Sequence, residues 1–279
     1  MASWTSTLLA ALLVAIPATG RAADIPAPPP GASSRIDAIR QRGTLRVAVL
    51  DEFPWLIKSS SADAAPFHGP AWRLAEEYAR RLGVRIETTP VTSDDKVSIL
   101  ASGAVDVSIA PLLVTPEREA VADMIPYSAS AHCVFGLADN PRVAAAARLD
   151  DLDQSPVTIG FIVGTPQGAW LQKRLVRAAR DGVPGNLTDL ATVEVLAHRA
   201  DVAPIDKFFF RDLQRKVPGL ASVPKDCLAS EELPVSIGMA IDKGQPAFLD
   251  WLRAVAARIK PDVDAEMAKA AQETVQAGP

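Results

Sequence analysis

In the stretch "PLLVTPERE" (Pro111–Glu119), Arg118 lies three residues into what is otherwise built as the start of a helix. Thr115 is a good N-cap, Pro116 suits the first helical position and Glu117 suits the first turn. A cation at that place opposes the positive end of the helix dipole, so a compensating anion is expected. The anion has two sources. Arg118 either pairs in solvent with Glu117, Glu119 or Asp123, or its guanidinium grips a carboxylate bidentately. "GTPQG" (Gly164–Gly168) repeats the arrangement: each Thr-Pro follows a strand-like apolar run and presents free backbone amides beyond its carboxyl end, where ligands of open α/β sheets sit. Two such helix starts facing each other across a cleft would hold an anion. Asp206 ends an apolar strand and begins a helix, so it is either a plain N-cap or a carboxylate that meets a ligand ammonium.

These residues need a scaffold, and the hydrophobic pattern supplies one. "TLRVAVL" (Thr44–Leu50) reads as a strand, and "PAWRLAEEYARRLG" (Pro70–Gly83) as a helix with Trp72, Ala75, Ala79 and Leu82 on one face and a terminating glycine. "VRIETT" (Val84–Thr89) is a strand, "SDDKVSILASG" (Ser93–Gly103) a capped helix and "VDVSIA" (Val105–Ala110) a strand. The same grammar restarts with the strand "VTIGFI" (Val157–Ile162) and a helix over Thr165–Gly182, with Trp170, Leu171, Leu175 and Ala178 on one side. "TVEVL" (Thr192–Leu196) and "DVAPI" (Asp201–Ile205) read as strands, and "DKFFFRDLQRK" (Asp206–Lys216) as a short helix whose phenylalanines belong in the core. "LPVSIGMAI" (Leu233–Ile241) is extended. Two helical patterns close the chain, the first with Phe248, Trp251, Leu252, Val255 and Ile259 on one face. Strands alternating with helices predict an α/β fold, a mostly parallel sheet covered on both faces, in two blocks. Terminal helices that pack back on the first block would make the middle block an insertion, with two chain crossings as a hinge.

Composition narrows the function classes. The chain carries 29 Lys and Arg against 33 Asp and Glu, and nothing in that balance suggests nucleic acid. "LLAALLVAI" (Leu8–Ile16) is too short to span a membrane, and the small residues after Pro17 complete the layout of a secretory signal peptide cut after Ala22. No cysteine follows that run, so no lipid anchor is expected. The proline-rich Ala23–Ser34 reads as a disordered leader. Cys133 and Cys227 then reach an oxidising compartment, where a disulfide and two free thiols are both open; their spacing matches no metal motif. His68, His132 and His198 carry no ligand pattern and are expected to be solvated or structural.

The segments "GTLRVAVLDEFPW", "ILASGAVDVSIAPLLVTPERE", "PY", "IGFIVGTPQG" and "ADVAPID" occur in the order and spacing of the bacterial extracellular solute-binding proteins of family 3. Over roughly residues 36–260 the chain resembles these periplasmic amino-acid receptors of ABC importers. The resemblance implies a two-lobed periplasmic-binding-protein fold of type II, with two α/β lobes joined by two crossing strands. Its organisation would be a signal peptide over 1–22, a leader over 23–34, a first lobe over 35–130, a second over 131–223, and a return to the first with the C-terminal helices over 224–279. By matching positions, Arg118 would hold a ligand α-carboxylate, helped by Ala110, Pro111, Leu113 and Thr165, and Asp206 would hold the α-ammonium. Phe53 would form an aromatic wall, with Gln167 and Ser93 lining the rest, while Asp106 and Asp201 fall at positions that look structural. Cys133 and Cys227 would lie near the two crossings, so that a disulfide there tethers the hinge.

The implied protein is a monomer without cofactor, metal or catalytic residue that captures an amino acid or similar zwitterion for an inner-membrane permease. Departures from the family pattern bear on the ligand. The first helix reads Gly69-Pro70-Ala71-Trp72-Arg73-Leu74 and lacks the usual acid, Leu113 replaces a small hydroxyl residue, and Pro111 has no N–H to donate. Each missing charge-assisted hydrogen bond is worth about 1–3 kcal/mol. Two other readings share the scaffold: an enzyme similar to cyclohexadienyl dehydratases, with His68 or Glu52 as general acid, and a sensory receptor module.

Overall fold

The structure, a computed structural model, describes residues 25–61, 64–184 and 190–272; the expected signal peptide lies outside the described residues. In chain order, α1 (Ser34–Arg42) leads into β1 (Thr44–Val49), a short hairpin of β2 (Ile57–Lys58) and β3 (Phe67–His68), α2 (Pro70–Leu82) and β4 (Arg85–Pro90). A 3-10 turn at Ser98–Ser102 precedes β5 (Val107–Leu113), α3 (Pro116–Val121) and the 16-residue β6 (Ala122–Leu137). The middle block holds α4 (Pro141–Ala145), a 3-10 turn at Leu149–Leu152, β7 (Thr158–Ile162), α5 (Pro166–Arg174), β8 (Ala179–Val183), α6 (Leu190–Leu196), β9 (Val202–Asp206), α7 (Lys207–Lys216) and β10 (Leu220–Val223). A 3-10 turn at Cys227–Ala229 then leads to β11 (Glu232–Asp242), α8 (Pro246–Arg258) and α9 (Lys260–Gln272).

The sheet runs in the order β4-β1-β5-β11-β6-β9-β7-β8, with β10 beside β6. β6 joins the halves: its first part pairs antiparallel with β11, and its second part pairs with β9 and β10. Each half has its own core. Leu45, Val47, Trp55, Tyr78, Ile109, Met239, Phe248 and Trp251 are among the buried residues of the first, and Leu149, Ile159, Leu171, Val202 and Val223 among those of the second. The terminal helices do pack on the first half. The Tyr78 hydroxyl donates to the Leu252 carbonyl at 3.1 Å, and the Tyr78 and Trp251 rings lie 5.7 Å apart.

α2 shows how the sequence builds this half. Pro70 takes the first helical position, and Ala71, Leu74, Ala75, Tyr78 and Leu82 are buried at helical spacing. Gly83 ends the helix at φ 69°, its N–H shared between the Ala79 and Arg80 carbonyls. Gly69 sits at φ 100°, where a Cβ would come within 2.9 Å of the Trp55 carbonyl oxygen, so only glycine brings α2 this close to the loop after β1. On the same helix, the buried Glu77 is pulled down to about 2, first by its hydrogen bond with Arg80 and further by Arg81, at 2.6 and 2.7 Å. A carboxylate lowered on folding stabilises the fold fully above its usual 4.5, and that contribution is lost as pH falls towards about 2. Glu77→Gln should cost about 1–2 kcal/mol at neutral pH, discounted because Arg80 is exposed, and the gap to the parent should close in thermal melts taken down this acid range.

Four local expectations are revised. Residues 23–34 were to form a disordered leader, yet Ile25 and Ala27 pack on the first core, with their stretch fixed by Arg81 donating to the Ile25 carbonyl and Arg40 to that of Pro28. Ser93–Gly103 is a turn followed by the 3-10 segment rather than one capped helix. The helix expected over Thr165–Gly182 stops at Arg174, where the side chain meets Asp150 and Glu232, and Ala179–Val183 instead forms β8. "TVEVL" is part of α6: Ala191, Glu194 and Val195, three and four apart, are buried while Val193 is 47% exposed. Asp106 and Asp201 are structural. Asp106 receives Arg42 and Arg46, and Asp201 receives Asn140, Arg142 and the Thr158 N–H.

Candidate functional site

Residues that follow β1 and β5, end β9 or lie in the middle of β6 act on one another. Thr115 caps α3, its hydroxyl oxygen accepting from the Arg118 N–H at 3.4 Å, and the guanidinium turns back to donate to the Leu113 carbonyl at 2.8 Å. Arg118 is half-buried, and burial pushes its guanidinium below its ordinary value while Glu52 holds it up. The anionic charge that acts on Arg118 is that of Glu52, whose direct ion pair is with Lys96. Glu52 closes a tight turn, its N–H bonded to the Leu56 carbonyl and its own carbonyl receiving the N–H groups of Trp55 and Leu56. Burial raises the Glu52 carboxyl; Lys96 and Arg118 pull it down, and Asp206 pushes it up. One carboxyl thus senses Arg118 from the first half and Asp206 from the second.

Asp206 is the N-cap its position allows: it caps α7, accepting from the Phe208 N–H at 2.9 Å, and burial raises its carboxyl against the pull of Ser130 and His132. His132 stands opposite Asp206 in the β6–β9 register; it is buried, with Nδ1 at 3.1 Å from the Leu233 carbonyl and Nε2 at 3.4 Å from Gln167 Nε2. Burial is the main cause of its lowered value. Thr165 caps α5, accepting from the Gly168 N–H at 3.1 Å and donating to the Ile162 carbonyl at 2.8 Å. At Gly168 a Cβ would lie 2.7 Å from that same carbonyl, so glycine is needed for α5 to start here.

The other expected residues divide. Ala110 and Pro111 are buried on β5, and the Pro111 carbonyl accepts from Lys96 Nζ at 2.8 Å. Leu113 contributes its carbonyl to Arg118. Phe53 is half-buried against the first core, and the aromatic contact that spans the halves is made instead by Trp55, edge-on to Phe208 and Phe209 at 5.7 and 6.0 Å. Phe208 and Phe210 are buried as core residues, but Phe209 is 39% exposed. Ser93 is exposed, and from the same turn Lys96 reaches Glu52. His68 is half-buried in β3.

Glu52 is expected from the sequence only as a general acid in the enzyme reading, and Lys96, Tyr127, Ser130 and His132 are not expected at the site at all. Lys96 comes from a polar run that reads as solvent-facing, and Tyr127 and Ser130 from a strand whose role is set only by pairing. The Tyr127 hydroxyl is buried without a hydrogen-bond partner among the described residues, and it feels the charge of Glu52. Cys133, next to His132, is bonded to Cys227, joining β6 to the turn that precedes β11. Among the described residues no group of three or more His, Cys, Asp or Glu is arranged to hold a metal ion, and no helix is long and apolar enough to cross a membrane.

Two α/β halves bridged by β6 and β11, with Arg118 of one and Asp206 of the other both acting on the Glu52 carboxyl, define a two-lobed binding-protein architecture. The chain belongs to the bacterial extracellular solute-binding proteins, family 3, which it matches over residues 45–272. It is 26% identical over 232 residues to the L-cystine-binding protein TcyJ of Escherichia coli K12, covering 81% of each chain. Among solved structures it is similar to an ancestral cationic amino acid solute-binding protein, at 26% identity and a TM-score of 0.62, covering 85% of this chain and 99% of that one. An ancestral cyclohexadienyl dehydratase is similar too, at 26% identity and a TM-score of 0.54, over 87% of this chain and 98% of that one.

Proposed function

We propose that this chain is a periplasmic receptor that captures an amino acid or a similar small zwitterion between its halves and delivers it, as a monomer, to an ABC importer in the inner membrane. The observation that carries the reading is that the Glu52 carboxyl feels the charges of both Arg118 and Asp206, which come from opposite halves. Arg118 takes the α-carboxylate, Asp206 the α-ammonium, and Thr165 and Gln167 close over the ligand from the second half. Closing the halves excludes water and so strengthens each of these charged contacts. Support also comes from the family, from the cystine-binding relative and from the ancestral binding protein of similar fold. The test is a thermal-shift screen against amino acids and small organic acids. A ligand at about 100 times its dissociation constant stabilises by about 2.7 kcal/mol, a rise of roughly 5–10 °C for a chain of this size. No rise with any amino acid, or turnover of a cyclohexadienyl substrate instead, would remove the receptor reading.

A further inference from the structure

Lys96 is 7% exposed, although the other members of its run, Ser93 to Asp95, are exposed. Its Nζ donates to the Pro111 carbonyl at 2.8 Å and to Glu52 Oε2 at 3.3 Å. An ammonium is buried at high cost unless its charge is paired, and here one carboxylate and one carbonyl take two of its three N–H donors. Proline at 111 matters, because it offers the crevice an acceptor and no N–H. Glu52 and the Pro111 carbonyl together form an acceptor pair suited to an ammonium or a guanidinium, and the protein has placed its own ammonium in it. Glu52 faces the same charges as the ligand would, since Arg118 and Asp206 both act on it.

With Lys96 and Glu52 closed on each other, the two charges proposed above to hold a guest are one cation and one anion, Arg118 and Asp206. A third ligand charge of positive sign would be set against Lys96, and like charges brought together at an interface are strongly disfavoured. The unpartnered Tyr127 hydroxyl beside Glu52 is left for an uncharged polar group. Resting on the amino-acid reading above, we propose that Lys96 is a built-in counter-cation that restricts the crevice to amino acids with uncharged side chains and turns away those with an ammonium or guanidinium.

The experiment is calorimetric titration of the full chain with L-lysine, L-arginine and the uncharged L-amino acids. The parent should prefer its best uncharged ligand over lysine and arginine by at least about 100-fold. Lys96→Met keeps the length of the side chain and frees the acceptor pair, and it should shift that ratio towards lysine or arginine by at least about tenfold. Should this variant fold poorly with Glu52 unpaired, the double variant Lys96→Met with Glu52→Gln leaves no lone buried charge, and its ratio should fall to within about tenfold of one. Tight lysine or arginine binding by the parent, or a ratio unmoved in both variants, overturns the proposal while leaving amino-acid binding in place. A parent that binds no amino acid at all overturns both.

Discussion

Arg118→Ala lowers ligand affinity by at least about 100-fold in a calorimetric titration, while its unfolding free energy stays within about 1 kcal/mol of the parent. The first half of that expectation follows from the fork geometry: two charge-assisted hydrogen bonds to a carboxylate, each worth about 1.5–3 kcal/mol, disappear together. The second follows from how little else Arg118 does in the fold. Its one hydrogen bond among the described contacts of the guanidinium goes to the Leu113 carbonyl, and Lys96 remains to neutralise Glu52. Removing a cation from the first turn of α3 also relieves its conflict with the helix dipole. Arg118→Lys keeps the charge and loses the planar fork, so it should fall between, about tenfold weaker than the parent. Binding by the alanine variant at parental affinity would place the carboxylate elsewhere in the crevice.

The α/β class, β1, α2, β5, α3 and the two terminal helices were legible because their apolar positions repeat at one clear period and several begin on a proline at the first helical position. α6 was not, because Thr192, Val193 and Val195 are β-branched and alternate; the burial that decides the matter, Ala191 with Glu194 and Val195, begins before the alternating run. The helix from Thr165 was read through Arg174 because Leu175 and Ala178 continue the apolar spacing, and both are indeed buried. Its end is set by Arg174 reaching Asp150 and Glu232, partners 24 and 58 residues away that no local pattern announces. The same limit governs the crevice. Arg118 and Asp206 stand at helix starts, where a charged residue is locally conspicuous. Lys96 and His132 acquire their surroundings only when Pro111, Glu52 and Asp206 are brought in by sheet pairing, so a lysine in a polar run and a histidine in a strand look ordinary until the chain has folded.

Replacing Cys133 and Cys227 together by alanine, or reducing them, should lower stability by about 3–5 kcal/mol and the melting temperature by roughly 10 °C. The bond closes a loop spanning 94 residues, which is the whole of the middle block, and the unfolded chain regains the entropy of that loop once it opens. Both cysteines are buried, 0% and 4% exposed, so alanine leaves no unpaired polar atom behind and the measured loss is that of the cross-link with a small packing term. A smaller effect on binding should accompany it. The bridge fixes the turn before Ser230, whose hydroxyl donates to the His132 carbonyl, and before Leu233, whose carbonyl meets His132 Nδ1. His132 in turn stands beside Asp206 and Gln167, so loosening this turn should weaken ligand affinity by no more than about tenfold, well short of the Arg118 effect. Equal melting temperatures with and without reductant would mean that pairing along β6, β9 and β11 holds the crossing unaided. A loss of affinity as large as that of Arg118→Ala would mean that the bond positions the ligand contacts themselves.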